Sequence, residues 1–399
     1  MAVAALLVAL AACEAGADAP ARKTASPKPT GPHALFKRPL RDQVHAAGRA
    51  TKEVGNAHFR STLRYGSARG DIVLTEEGDQ DYLTDSAVAR TTFRMPAAHP
   101  RGLLDDIGEE SRTSEKNFAV VDSDVYYRTA SGRWLRYSRG MSQEFSENAS
   151  HMLNRNADAA PYSVPLTGII AAMAPRRAPQ VRPDGIRRYT APLTPADIQA
   201  LLPEQLDKLL PDRARDGLTA PLTVDIDAQG RLRKATAQLD GVLAVLKKHR
   251  SSYRGLTTLR AEYTLSGFGR SSPKGLPGGS GVDDAEKVLV ALKSARPGAC
   301  GTTDTGLSGI SLMRPVDCAK PHDVRVFAHV SFDENVPGAT YDKAMDMALE
   351  ACDGKYGSMP RAWRSSNGDF WAHEDAYDLW IGSGESQLVA DYTCFTRTS

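Results

Sequence analysis

Between His58 and Gly267 the chain returns again and again to a period of two residues, and no other feature limits its fold as much. In HFRSTLRY, Phe59, Ser61, Leu63 and Tyr65 alternate with His58, Arg60, Thr62 and Arg64. That is the pattern of a strand with one dry side and one wet side. DIVLT, VARTTFRM, NFAVVD and VYYRTASGRWLRY continue it, the last as a hairpin about Ser131-Gly132. LTVDIDAQGRLRKATAQL is the clearest hairpin: Leu222, Val224 and Ile226 alternate with Thr223, Asp225 and Asp227, and Gln229-Gly230 makes the turn. LRAEYTLSGFG ends the series with Leu259, Ala261, Tyr263 and Leu265 on one side.

Helical periods are fewer. Leu40, Val44, Ala47, Thr51 and Val54 form one stripe ahead of the first strand. VPLTGIIAAMA (Val164 to Ala174) and ADIQALLPEQLDKLL interrupt the strands, with Pro203 starting a new turn in the second. An antiparallel sheet with helices packed on one face is an α+β fold.

Four of the five cysteines, Cys300, Cys318, Cys352 and Cys394, lie in the last hundred residues. An even set in a short segment predicts two disulfides, which persist only outside the reducing cytosol. Their intervals of 18, 34 and 42 residues lack the close pairs of a structural zinc site, so neither metal nor cofactor is expected. The fifth cysteine, Cys13, follows eleven uncharged apolar residues, Ala2 to Ala12. That run is too short for a bilayer span of roughly 20 residues and fits the apolar core of a secretory signal, although no Lys or Arg precedes it. LAAC resembles a bacterial lipobox, in which the cysteine is acylated and becomes the first residue after cleavage. It implies a membrane partner reached through a lipid on Cys13.

These readings divide the chain into a signal peptide (1–12), a tether (13–39), a strand-rich domain (40–270), a Gly/Pro/Ser-rich linker (271–290) and a disulfide-bonded domain (291–399). The tether is rich in Pro and Ala and cannot bury enough apolar surface to fold. Between Pro20 and Lys52 eight Lys/Arg face one acid, Asp42; they suit either an anionic leaflet or a solvated linker. The net charge of +2 over 399 residues gives no argument for nucleic acid.

The order of elements over residues 40–275 resembles the actinobacterial LppX/LprG-type lipoproteins. It runs from an amphipathic helix through LRYGSARGDIVL, VDSDVYYRTASGRWLRYS, an apolar helical middle and VDIDAQGRLRK to a last strand ending in FG. The resemblance implies a LolA-like half-barrel, antiparallel strands cupping helices around an apolar cavity for the acyl chains of a lipid or lipoglycan. Leu63, Ile72, Leu74, Phe93, Leu222, Val224, Ile226, Leu259 and Tyr263 are the inward candidates; the same residues also suit an ordinary packed core. Two arginine groups, Arg128, Arg133, Arg136 and Arg139, and Arg176, Arg177, Arg182, Arg187 and Arg188, suit an anionic head group or a solvated surface.

VDCAKPHDVRVFAHV, with a helical cysteine and a late one, resembles the septum-formation domain of actinobacterial membrane proteins over residues 297–396. It implies a small disulfide-bonded α/β domain with Cys300 joined to Cys318 and Cys352 to Cys394. His322, after Pro321 and beside Asp323, reads as a turn residue positioning the following strand, His373 has no evident partner, and no hydrolase, metalloprotease or nucleotide-binding motif is present. The expectation is therefore a non-enzymatic, lipid-anchored protein on the extracytoplasmic face of the cell membrane, binding or carrying a lipid or other apolar ligand. The alternative is an envelope scaffold or sensor, related to the cell wall or septum, whose half-barrel is filled by its own side chains and which contacts an envelope protein.

Overall fold

A computed structural model describes residues 34–397, except positions 110, 150–158, 161–163, 166–168, 171–172, 203–205, 208, 308–309, 366–367 and 382–385. Cys13, the signal and most of the tether lie outside the described residues.

The alternating stretches fold as strands β1 (Asn56–Ser67), β2 (Ile72–Asp81), β3 (Ser86–Arg94), β4 (Thr113–Val121), β5 (Asp124–Arg128) and β6 (Trp134–Tyr137). A two-residue pair, β7 (Ala159–Ala160) with β8 (Val164–Pro165), stands apart. Then come β9 (Gln180–Val181), β10 (Arg187–Leu193), β11 (Ala220–Ile226), β12 (Leu232–Gln238), β13 (Leu256–Ser266) and β14 (Val282–Asp284). They make one twelve-stranded sheet in the order β14-β6-β5-β4-β3-β2-β1-β13-β12-β11-β10-β9. Every described pairing in it is antiparallel except β14 with β6. The turn between β11 and β12 closes as the sequence predicts: Gly230 takes a positive φ of 79°, and the Asp227 carboxylate accepts from the amides of Gln229 and Arg231.

Helices cover one face of this sheet. Leu40–Lys52 buries Val44, Ala47 and Thr51 along the predicted stripe. The Thr51 hydroxyl donates to the Ala47 carbonyl at 2.7 Å and accepts from the Leu232 amide at 2.8 Å, tying this helix to β12. Pro195–Leu201 starts on a capping box between Thr194 and Asp197 and buries Ile198 and Leu201. Asp240–His249 buries Val242, Leu243 and Leu246. These apolar residues, with Ile170 and Met173, share one core with the inward side chains of the sheet.

The cysteine-bearing part forms a second sheet from β15 (Val290–Ala291), β16 (Cys300–Thr302), β17 (Leu312–Val316), β18 (Val324–Asn335), β19 (Trp371–Ile381) and β20 (Ser386–Arg397). The order is β15-β17-β16-β18-β20-β19, and one long helix, Tyr341–Ser358, packs on it. Cys300 is joined to Cys318 and Cys352 to Cys394, with Cα–Cα distances of 5.2 and 5.6 Å. The second link bolts the long helix to β20 inside the core.

An α/β module was expected here, and the structure corrects that: all described pairings are antiparallel, so the module is α+β. The strand–helix–strand sequence from β18 to β19 does join two strands of like direction. The last strand, β20, returns between them and pairs antiparallel with both, which removes the parallel contact that a βαβ unit would have made.

Residues 271–290, read as a linker, contain β14 and the short helix Ala285–Val288. Ala285, Leu289, Leu307 and Leu312 share a core with Phe118, Val125, Tyr127, Leu135 and Tyr137 of the large sheet. The two sheets thus meet through buried apolar contact. Among the described residues no helix is long and apolar enough to cross a membrane.

Candidate functional site

The nine inward candidates lie together. Leu63, Ile72, Leu74, Phe93, Leu222, Val224, Ile226, Leu259 and Tyr263 all belong to the core between the large sheet and its helices, and each is at most 2% exposed. The Tyr263 hydroxyl accepts from Gln80 Nε2 at 3.2 Å. These side chains share that core with leucines of the helices, among them Leu201, Leu243 and Leu246.

Open space lies at the other face of the sheet's edge strands. A cleft of about 720 Å³ runs along β9, β10 and β11. Its floor is apolar (Ala191, Pro192, Ala220 and Pro221), and Ala191 and Ala220 are also members of the buried core. Thr190, Pro192 and Pro221 are the exposed members of an alternation whose buried members, Tyr189, Ala191, Leu193, Ala220 and Leu222, face the helices, so the cleft lies on the solvent face of the sheet. Arg176, Arg177 and Arg188 line its wall, and no carboxylate does. Arg188 is committed: its Nε and Nη2 donate to the two oxygens of Asp225, both at 2.7 Å. This fork raises the Arg188 pKa. Arg182 approaches the same carboxylate at 4.0 Å, and Arg187 stacks on the Phe36 ring at 4.1 Å. Arg176 and Arg177 are exposed and have no such partner among the described residues, so two guanidinium groups stand unpaired there over the cleft.

The first arginine group serves another purpose. Arg133 pairs with Asp283 and Arg136 with Asp284, both acids on β14. Arg314 of the second sheet also donates to Asp283 at 3.0 Å. The hydrogen bond from Arg133, reinforced by Arg314, holds the Asp283 carboxyl down to about 2. Tyr127 donates to Asp304 and Tyr137 to the Thr305 carbonyl, so both rings are anchored to the loop after β16. Burial is the chief reason both phenols are raised well above the ordinary tyrosine range. Gly306 lies so close to the Tyr127 ring that a Cβ there would overlap it. These residues form the joint between the sheets, and a second cavity, about 290 Å³, opens along it.

His322 and Asp323 lie in the connection between β17 and β18. His322 Nδ1 contacts the Lys320 carbonyl at 2.8 Å, and the Asp323 carboxylate accepts from the amide and hydroxyl of Thr303. On β19, burial holds the His373 imidazole down to about 4. A third cavity, about 350 Å³, is lined by Lys293, His329, Ser331, Asp375 and Asp391. Sequence reasoning passed over His329 and Asp375, because the β-bulge at Asp375 breaks the alternation that would have marked its side.

No protein family and no curated protein matches this chain. Among solved structures, a DUF1329 family protein from Desulfovibrio piger is similar over 60% of this chain and 96% of its own, at 11% identity and a TM-score of 0.22. An outer membrane lipoprotein-sorting protein domain from Vibrio parahaemolyticus is similar over 59% of this chain and 93% of its own, at 11% identity and a TM-score of 0.19. Similarities at these TM-scores carry no argument about this chain.

Proposed function

We propose that this protein is an extracytoplasmic lipoprotein, held at the cell membrane through Cys13, that binds a lipid or other apolar ligand in a LolA-like half-barrel. One observation carries the reading: the nine inward candidates lie together in an apolar core between the sheet and its helices. An acyl chain entering there replaces leucine–leucine contacts with equivalent apolar ones, so parting the helices from the sheet costs little burial once the ligand is in. The exposed Arg176 and Arg177, at the cleft on the outer face of the sheet, suit an anionic membrane surface. The two disulfides support an oxidising compartment.

The test is organic extraction of the full chain carrying Cys13→Ser, followed by mass spectrometry. Co-purified lipid at near one molecule per chain is the expected result. Repeated absence of lipid, with no uptake of a fluorescent fatty acid, overturns the carrier reading.

The near-complete burial of the nine candidates favours a second reading. In it the half-barrel is filled by its own side chains, and the protein acts as an envelope scaffold contacting a protein partner. The same extraction separates the two.

A further inference from the structure

At the third cavity three side chains stand in series. The Thr393 hydroxyl lies 2.5 Å from Asp375 Oδ2, and His329 Nδ1 lies 3.0 Å from the same Thr393 Oγ1. His329 Nε2 lies 2.8 Å from the carbonyl of Ala295. Thr393 is wholly buried. The bulge in β19 between Glu374 and Ala376 leaves Asp375 as the extra residue, its side chain turned onto Thr393.

Counting hydrogens decides the protonation of this series. Each of the three contacts needs one hydrogen between its heavy atoms. A carbonyl oxygen only accepts, so His329 must carry a hydrogen on Nε2. Thr393 owns one hydrogen and can serve only one of its two contacts. The remaining contact is satisfied if His329 also carries a hydrogen on Nδ1, or if Asp375 is protonated. With neutral His329 and ionised Asp375, two lone pairs face each other at 2.5 or 3.0 Å. We propose that the Asp375–Thr393–His329 series is a proton-binding clamp that holds the connector between the two sheets, through Ala295, against the disulfide module.

The position of Ala295 gives the clamp its reach. Leu292 and Ala295 pack against Val324, Val326 and Phe395 of the second sheet, while Ala285 and Leu289, a few residues earlier, belong to the core shared with the large sheet. The other titratable or charged groups at the cavity are Lys293 on the connector and Asp391 and Tyr392 on β20. Lys293 opposes protonation of Asp375 and Asp391 favours it, while burial raises the Asp375 carboxyl to about 6. Thr393, buried and in the middle of the series, is not arranged as a nucleophile.

Loss of the proton as pH rises releases either the Ala295 tie or the Asp375 contact. Hydrogen exchange of the full chain, corrected for intrinsic rates, reads this directly at the Leu292 and Ala295 amides, which bond to Ser311 and Leu292 carbonyls. In the wild type, protection is expected to fall as pH rises from about 4 to about 6, by up to about tenfold per pH unit, the slope of one linked proton. Asp375→Asn is expected to remove that slope and keep the protection, because its amide donates to Thr393 at every pH and Thr393 can then donate to His329. Thr393→Val is expected to lose protection at all pH values. Equal protection of the wild type at about pH 5 and about pH 8, or an Asp375→Asn slope matching the wild type, overturns the clamp. Should Thr393→Val not fold, the Asp375→Asn comparison decides alone.

Discussion

Tyr137 donates its hydroxyl to the carbonyl of Thr305 at 2.6 Å, across 168 residues of sequence. Its ring is fully buried in the core that Ala285, Leu289, Leu307 and Leu312 share with the large sheet. The joint between the sheets is therefore built like an interior rather than like a hinge. Tyr137→Phe keeps the ring and leaves a buried carbonyl unpaired, a cost of about 1–3 kcal/mol. In urea the wild type is expected to unfold with both sheets in one transition. The variant is expected to show a lower midpoint or a separated first transition, followed by tryptophan fluorescence and far-ultraviolet dichroism together.

His373 and Asp375 sit two residues apart on β19 and oppose each other with pH. Burial lowers the His373 imidazole from 6.5 to about 4. Its stabilising contribution is thus complete above about 6.5 and is lost as pH falls toward 4. Burial raises the Asp375 carboxyl from 3.8 to about 6. The folded form then holds a proton that the unfolded form has released, and stability falls as pH rises from about 4 to 6. The two slopes offset one another in the wild type. His373→Leu removes one of them, so its melting temperature is expected to climb as pH is lowered through this window, in calorimetric scans where the wild type stays nearly level.

The Cys352–Cys394 link closes 42 residues and the Cys300–Cys318 link 18. Each is expected to contribute about 2–5 kcal/mol, with loop closure favouring the longer by about 0.7 kcal/mol. Replacing Cys352 and Cys394 by Ala also removes a strut between the long helix and β20. That double variant is expected to have the lower denaturation midpoint of the two.

Arg176→Gln with Arg177→Gln removes the two guanidinium groups at the cleft that lack a carboxylate. Binding of the unacylated full chain to phosphatidylglycerol vesicles is expected to weaken by about tenfold or more, since each exposed cation near an anionic surface contributes about 1 kcal/mol. Binding to phosphatidylcholine is expected to stay as it was. Flotation assays with the two vesicle types measure both.

Much of the architecture is legible in the sequence, because strand alternation, turn glycines and helical stripes are local signals. Val44, Ala47 and Thr51 are buried where the stripe puts them, and Gly132 and Gly230 take the positive φ of the two predicted hairpin turns. The count of cysteines pointed to two disulfides, and both form. What distance in sequence conceals, only the tertiary structure decided. Five arginines read alike after the apolar middle, yet sheet order brings Asp225 to Arg188 and leaves Arg176 and Arg177 at a cleft with no carboxylate partner among the described residues. Arg133 meets Asp283 across 150 residues because β14 lies along β6, a parallel pairing that three residues cannot announce. The inward face could be known as apolar from its period of two; whether leucines or a ligand cover it depends on where the helices pack. Periodicity records the environment of a residue against its own neighbours, whereas ion pairs, relays and cavities arise between segments that only the folded chain brings together.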